Sequence, residues 1–261
     1  MGGVLLASWL DKGLSEKNVI IVDPAPPAAG AFSPGLSLKI VASADEIPPA
    51  FQPQIVFFAV KPQLMDEIVP RYSRFADTAG SPLFVSIAAG RTLASFESDL
   101  GAGTPLVRAM PNTPASVSRG VTVACANAAV SEDQRLACAA LFEAVGFFDW
   151  VADEALIDAV TAVSGSGPAY VFYFTECLAR AGVEAGLEPA MAMRLARSTV
   201  AGGGEMLHRT EDPPDVLRCN VTSPGGTTAA ALDIFLENKA LEALVERAVK
   251  AAKARAKKLS G

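Results

Sequence analysis

The sequence predicts an α/β protein: a doubly wound domain built on a parallel sheet, followed by an all-helical domain. Three observations carry that prediction. Short apolar runs alternate with helical segments through the first 150 or so positions. Those runs, such as Ile-Val-Phe-Phe-Ala-Val at 55–60, are apolar throughout, as strands covered on both faces must be. After Asp153 no strand-like run remains, and only helical patterns follow.

Taken in order, residues 2–10 read as a helix with Gly13 as its stop. Residues 19–22 form a short strand ending at the carboxylate Asp23, and the loop 24–27 follows. Residues 38–41 are a weaker strand and 55–60 a strong one, leading through Lys61-Pro62 into a helix that reaches Ile68. Residues 83–88 are a strand that ends in Ala89-Gly90, ahead of a helix over 92–100 that Gly101 stops. Strands at 105–110 and 120–126 flank Pro111-Asn112-Thr113-Pro114. Ser131 caps a helix to about Val145, and residues 147–151 close the sheet. Helices are expected at 154–164, 167–186, 189–207, 226–237 and 240–258, the last carrying an apolar stripe from Leu241 to Ala252. Residues 169–174 are apolar around the whole helix, which predicts burial on several faces and completion of the core by a second subunit. Gly202-Gly203-Gly204 inside a helix costs about 1 kcal/mol per glycine relative to alanine, which predicts tight packing there.

Composition narrows the function. The chain has 261 residues, 51% hydrophobic and 19% charged, which is enough for two packed domains. A net charge of −6 argues against nucleic acid or an acidic membrane surface as partner. The four cysteines form no C-x-x-C and there is one histidine, so no zinc pattern or other metal site is expected. Scattered thiols suit a reduced, cytoplasmic protein. No apolar run is long enough to span a bilayer, and residues 4–10 read as helix rather than signal peptide.

The candidate active site is the stretch 220–228, Asn-Val-Thr-Ser-Pro-Gly-Gly-Thr-Thr. Glycines and hydroxyls just ahead of a helix leave free N–H groups at its positive end, which favours a small anion. An ordinary helix cap after a turn accounts for the same residues. At the front, Gly2 stands where the third glycine of a G-x-G-x-x-G dinucleotide fingerprint would, and Asp23 where its ribose-binding acid would. The first strand and two glycines of that fingerprint are not in the sequence. Gly101-Ala102-Gly103 is no substitute, because it follows a helix and enters a strand. Ser164-Gly165-Ser166-Gly167-Pro168 is not a nucleophile elbow, since a serine stands where the first glycine is needed. Ser166 as cap and Pro168 in the first turn account for it structurally.

These residues carry a resemblance. Val221-Thr222-Ser223-Pro224-Gly225-Gly226-Thr227-Thr228 resembles the signature of the pyrroline-5-carboxylate reductase family, and Ser164-Gly165-Ser166-Gly167-Pro168-Ala169-Tyr170 a second hallmark. Ala59-Val60-Lys61-Pro62, residues 86–90 and Arg108-Ala109-Met110-Pro111-Asn112-Thr113-Pro114 resemble three more, in the family's order. The resemblance implies a Rossmann-type dinucleotide-binding domain over 1–152 and a helical dimerisation and substrate-binding domain over 153–261. It implies reduction of 1-pyrroline-5-carboxylate to L-proline with NADPH or NADH, by a homodimer that in this family is often built into a ring.

It further implies roles for particular residues. Thr228 and Ser223 are the catalytic candidates, with Thr228 on the imine nitrogen. Gly225, Gly226 and Thr227 would hold the substrate carboxylate through their N–H groups, with Asn220 and Glu211 nearby. Ala59, Val60, Lys61, Pro62, Ala88 and Asn112 match the cofactor wall, beside Gly2 and Asp23. Asp23 would repel a 2′-phosphate, so NADH is expected to be usable beside NADPH. Two other readings stay open at this level: a related imine or hydroxy-acid reductase, and a non-catalytic helical dimer that has lost dinucleotide binding. The absent first strand would leave residues 19–22 and 55–60 separated by a gap of about 10 Å. The expectation is therefore that Met1 is internal to the natural protein and that translation begins about ten residues upstream, a count set by one short strand and two glycines.

Overall fold

The structure is a computed structural model that describes residues 1–25, 32, 35–76 and 80–259. Its contacts divide the chain into two compact units. One is Met1–Gly165 together with the chain from Ala252 on, and the other is Ser166–Ala251.

The first unit opens with α1 (Gly2–Asp11). Gly13, at φ +102°, stops it: its N–H bonds to Leu10 O at 3.1 Å, and the Leu14 N–H bonds to Trp9 O at 2.9 Å. Strands β1 (Ile20–Val22) and β2 (Lys39–Val41) pair in parallel as a sheet of their own. The loop expected at 24–27 falls partly outside the described residues. Next come β3 (Ile55–Phe58), the short helices α2 (Met65–Ile68) and α3 (Ser73–Ala76), β4 (Leu83–Ser86) and α4 (Leu93–Leu100). Then follow β5 (Leu106–Met110), β6 (Gly120–Ala126), α5 (Glu132–Glu143), β7 (Gly146–Trp150) and α6 (Ile157–Val160), which runs on into a π-helical turn at 161–165. The second sheet has the order β3-β4-β5-β6-β7. Among the described residues β1 and β3 do not pair with each other.

The sheet is parallel from β3 to β5, as the apolar runs predict, but β6 runs antiparallel to β5, with β7 parallel to β6. The connection explains this departure. Residues 111–119 are too few for a parallel crossover, which takes about a dozen residues or more. They turn back through a short 3₁₀ segment at Thr113–Val117 instead.

Both faces of the larger sheet are covered. Leu83 and Val85 of β4 join a core with Leu5 and Trp9 of α1 and Phe142 of α5, while Phe84 points into a second core with Met65, Phe96 and Ile157. Phe58 stacks on Phe84 and Phe96 at 6.0 and 5.8 Å between centroids. Consecutive strand residues therefore serve opposite cores, which is why the strand runs show no alternation in sequence.

The second unit holds α7 (Gly167–Glu184), α8 (Pro189–Arg209), α9 (Pro214–Asn220), α10 (Thr227–Leu236) and the start of α11 (Ala240–Leu259). Helix α9 was not expected from the sequence. Pro214 in its first turn, followed by Asp215, was the available signal. Helix α7 is not buried on several faces in the single chain: Phe172 is 62% exposed and Tyr173 61%. Among the described residues the packing expected around Gly202, Gly203 and Gly204 is also absent, and a Cβ on each would meet open space. No helix among the described residues is long and apolar enough to cross a membrane.

Helix α11 begins in the second unit and ends in the first. There Ala256 is buried, and a Cβ on Gly90 would collide with the carbonyl of Leu259.

Candidate active site

Apart from Gly2, the predicted cofactor residues fall at the carboxyl ends of parallel strands in the first unit, where open α/β sheets bind ligands. Asp23 follows β1, Ala59 to Pro62 follow β3, Ala88 follows β4 and Asn112 follows β5. Helix α1 starts against the end of β3. A Cβ added to Gly2 would stand 2.5 Å from the Ala59 Cβ, so only glycine permits this approach. That close contact is what the third glycine of a dinucleotide fingerprint supplies. No side chain caps the start of α1, so its first N–H groups stay available to a phosphate. One oxygen of the exposed Asp23 carboxylate accepts the Ala25 N–H at 2.9 Å. Lys61 is exposed, Val60 packs against the core and Pro62 opens a 3₁₀ turn. The Ala88 N–H is held by Ser86 Oγ at 3.2 Å, with both residues buried. The strand ends and the helix start together fit a nicotinamide dinucleotide.

Asn112 is buried, and both ends of its amide make a hydrogen bond. Nδ2 donates to Ser164 O at 2.9 Å, and Oδ1 accepts the Val121 N–H at 2.8 Å. The side chain therefore joins β6 to the π-helical turn. Gly165 in the same turn lies against Met110, with an added Cβ 3.7 Å from Sδ. Ser166 does occupy the cap position of α7, but its side chain makes no cap bond. Its own backbone is already helical at φ −87° and ψ −22°, so the hydroxyl does not reach back to the first-turn N–H groups.

In the second unit, Asn220 ends α9 and residues 221–226 lead into α10. Gly225 takes φ +69°, a value that suits glycine behind Pro224. That turn aims the Gly226 N–H at Ser223 O, 3.0 Å away. The Gly226 N–H therefore makes a bond within its own turn. The Ala230 N–H closes the first turn on Gly226 O at 3.2 Å, so the N–H groups of Thr227, Thr228 and Ala229 lie outside the helix's own ladder. Ser223, Gly225 and Thr227 are exposed and Thr228 is half-buried. Glu211 is exposed in the loop between α8 and α9, and α9 puts about 10 Å of helix between it and Asn220.

The sequence reading passed over the groups beneath the cofactor edge. Arg108, buried in β5, pairs with Glu154 Oε1 at 3.0 Å and Asp158 Oδ1 at 3.6 Å. Its signal was a charge in the apolar run Leu-Val-Arg-Ala-Met, but partners 46 and more positions away carry no local mark. Among the described residues no group of three or more histidine, cysteine or acidic side chains could hold a metal ion.

With this geometry in place, the relatives of the chain become informative. Residues 154–259 match the family model for pyrroline-5-carboxylate reductase dimerisation, which makes the protein a homo-oligomer. The pyrroline-5-carboxylate reductase of Mycobacterium tuberculosis is 38% identical over 280 residues, covering 99% of this chain and 93% of that one. That of Pseudomonas aeruginosa is 39% identical over 260 residues, covering 100% and 93%. Among solved structures, the Coxiella burnetii pyrroline-5-carboxylate reductase superposes with a TM-score of 0.90 at 33% identity, over 99% of this chain and 94% of the other. The Plasmodium falciparum enzyme, solved with NADP bound, superposes with a TM-score of 0.83 at 28% identity, over 100% and 95%. Similarity at this level, running through both the dinucleotide edge and the helical unit, places the chain in the pyrroline-5-carboxylate reductase family.

Proposed function

We propose that this protein reduces 1-pyrroline-5-carboxylate to L-proline, the last step of proline biosynthesis, with NADPH or NADH as reductant. The observation that carries this reading is 38–39% identity to pyrroline-5-carboxylate reductases along 99–100% of the chain and 93% of those relatives. The carboxyl edge of the sheets would hold the cofactor, through the open N–H groups of α1 at Gly2, Asp23 at the ribose, and residues 59–62, Ala88 and Asn112. When bound, the reduced nicotinamide supplies a hydride to the imine carbon.

The protein's own groups bind and orient. The N–H groups of Gly225 and Thr227, with the Ser223 hydroxyl, hold the substrate carboxylate at the positive end of α10. Thr228 is the next residue on that helix, and its hydroxyl hydrogen-bonds the imine nitrogen, orienting it or relaying its proton. Asn220 and Glu211 complete the substrate surroundings. A protonated cyclic imine is already electrophilic, so positioning rather than a strong base is what the site must provide. The single histidine, His208, is consistent with that economy. The working form is a dimer, built into a ring of dimers, in the cytoplasm.

The test is turnover. Purified protein given pyrroline-5-carboxylate should consume NADPH or NADH, followed by loss of its near-ultraviolet absorbance, and release proline. No consumption with either cofactor would overturn the reading.

A further inference from the structure

Arg108 stands in the middle of β5, and its neighbours on the same strand face, Leu106 and Met110, belong to the core that contains Phe96 of α4. Its side chain is 4% exposed. Across the sheet it is in register with Ser86 of β4 and Cys125 of β6, so a polar row crosses an otherwise apolar face. The guanidinium spreads over two carboxylates, Nη1 on Glu154 and Nη2 towards Asp158. Burial first, then the charges of Glu154 and Asp153, push the Cys125 thiol up.

The same Glu154 Oε1 accepts a second hydrogen bond, from the Leu93 N–H at 2.9 Å. Leu93 is the first residue of α4, so one carboxylate oxygen fastens the end of the β4–α4 loop to β5. That loop carries Ala88 and Gly90. Asp158 lies in α6, just ahead of the π-helical turn whose Ser164 carbonyl receives the Asn112 amide. Arg108 is thus the shared partner of two segments that border the carboxyl edge of the sheet.

Stability alone is a weak reason for such a cluster. Apolar residues of similar volume often replace a buried ion pair at no cost or with a gain. A guanidinium fork supplies direction, because each arm fixes one acceptor in angle as well as distance. We propose that Arg108 is a positioning residue of the reductase, holding through Glu154 and Asp158 both the Ala88–Gly90 loop and the π-helical turn in register with β5. It thereby sets the affinity for the dinucleotide. The inference rests on the reading above that these segments line the cofactor.

The test uses the full chain, with Tm, the NADPH Kd from quenching of tryptophan fluorescence, and KM for each substrate. Arg108→Lys keeps the charge and loses the fork. It should raise the NADPH Kd and KM about tenfold, or about 1.4 kcal/mol, with KM for pyrroline-5-carboxylate near its wild-type value. A fall in Tm with the NADPH Kd unchanged, or a parallel rise in both KM values, would overturn the proposal. If Arg108→Lys does not fold, Glu154→Gln decides, since it keeps the volume and the acceptor for Leu93 while removing the charge. The same rise in NADPH Kd supports the proposal; an unchanged Kd, or loss of folding here too, overturns it. A wild-type chain that binds neither NADPH nor NADH would overturn the functional reading and this inference together.

Discussion

Thr228 is half-buried in the first turn of α10, where the backbone N–H groups lie outside the helical ladder. Thr228→Ala should lower kcat by about 10²–10⁴, the usual loss for a positioned proton donor, and leave NADPH affinity near wild type. Thr228→Ser should retain much of the rate, because the hydroxyl stays. Wild-type turnover in the alanine variant would remove Thr228 from the chemistry. A second residue-scale outcome concerns Cys138, whose thiol burial pushes from 9.0 up to about 12. Between those values the unfolded chain releases a proton that the folded chain keeps, so the stabilisation is fully present below pH 9 and is lost as pH rises towards 12. Urea midpoints measured between pH 8 and 11, bounds set by that window, should therefore fall less steeply for Cys138→Ala than for wild type. Equal slopes would mean that the thiol titrates normally. At this scale the sequence was legible where a residue acts through its own backbone. Gly2, Gly13 and Gly225 each sit where a missing Cβ was required. It was not legible where the partner is remote: the Ser223–Gly226 bond depends on how one turn closes, and the Arg108 cluster on how β5 meets α6.

The longer helices of the first unit, α1, α4 and α5, announce their ends in sequence, and this explains why their limits could be read. Ser131 and Gln134 form a reciprocal cap on α5, with the Gln134 N–H on Ser131 Oγ at 3.3 Å and the Ser131 N–H on Gln134 Oε1 at 3.1 Å. Ser131→Ala should cost about 1 kcal/mol, about 2–4 °C in Tm for a chain of this size, with kcat/KM unaffected. A Tm equal to wild type would show that Gln134, which also donates to Ser81 O at 3.2 Å, holds the helix end alone. The strands were legible as elements but not in direction. A fully apolar run records burial on two faces and nothing about polarity, so the reversal at β6 follows from the length of the 111–119 connection. Helix α9 was missed because seven residues give too few turns for an apolar period to show.

For the whole molecule, the contrast between the units is informative. The first buries phenylalanine and leucine side chains completely, whereas the buried hydrophobic residues of the second, among the described residues, are alanines. The second leaves Phe172, Tyr173, Ile234 and Leu244 between 57% and 68% exposed, an apolar surface that a lone soluble chain would not keep. This matches a family model defined by dimerisation. Phe172→Asp in the full chain should shift the protein to a smaller species in sedimentation and lower its Tm. An unchanged sedimentation profile would place the interface elsewhere. The sequence signalled this surface through the all-round apolar run at 169–174, although a single chain cannot bury it.

The path of α11 bears on how the protein is made. A ribosome delivers residues in order, and domains generally fold as they emerge, the first one first. Here the last turns of α11 belong to the first unit, with Ala256 buried and Leu259 against Gly90. The unit that is begun earliest is therefore finished last, after every residue of the second has been synthesised. Nascent chains stalled before Ala252 should lose their first 165 residues to added protease faster than released chains do. Equal rates would mean that the opening unit closes without its final helical turns.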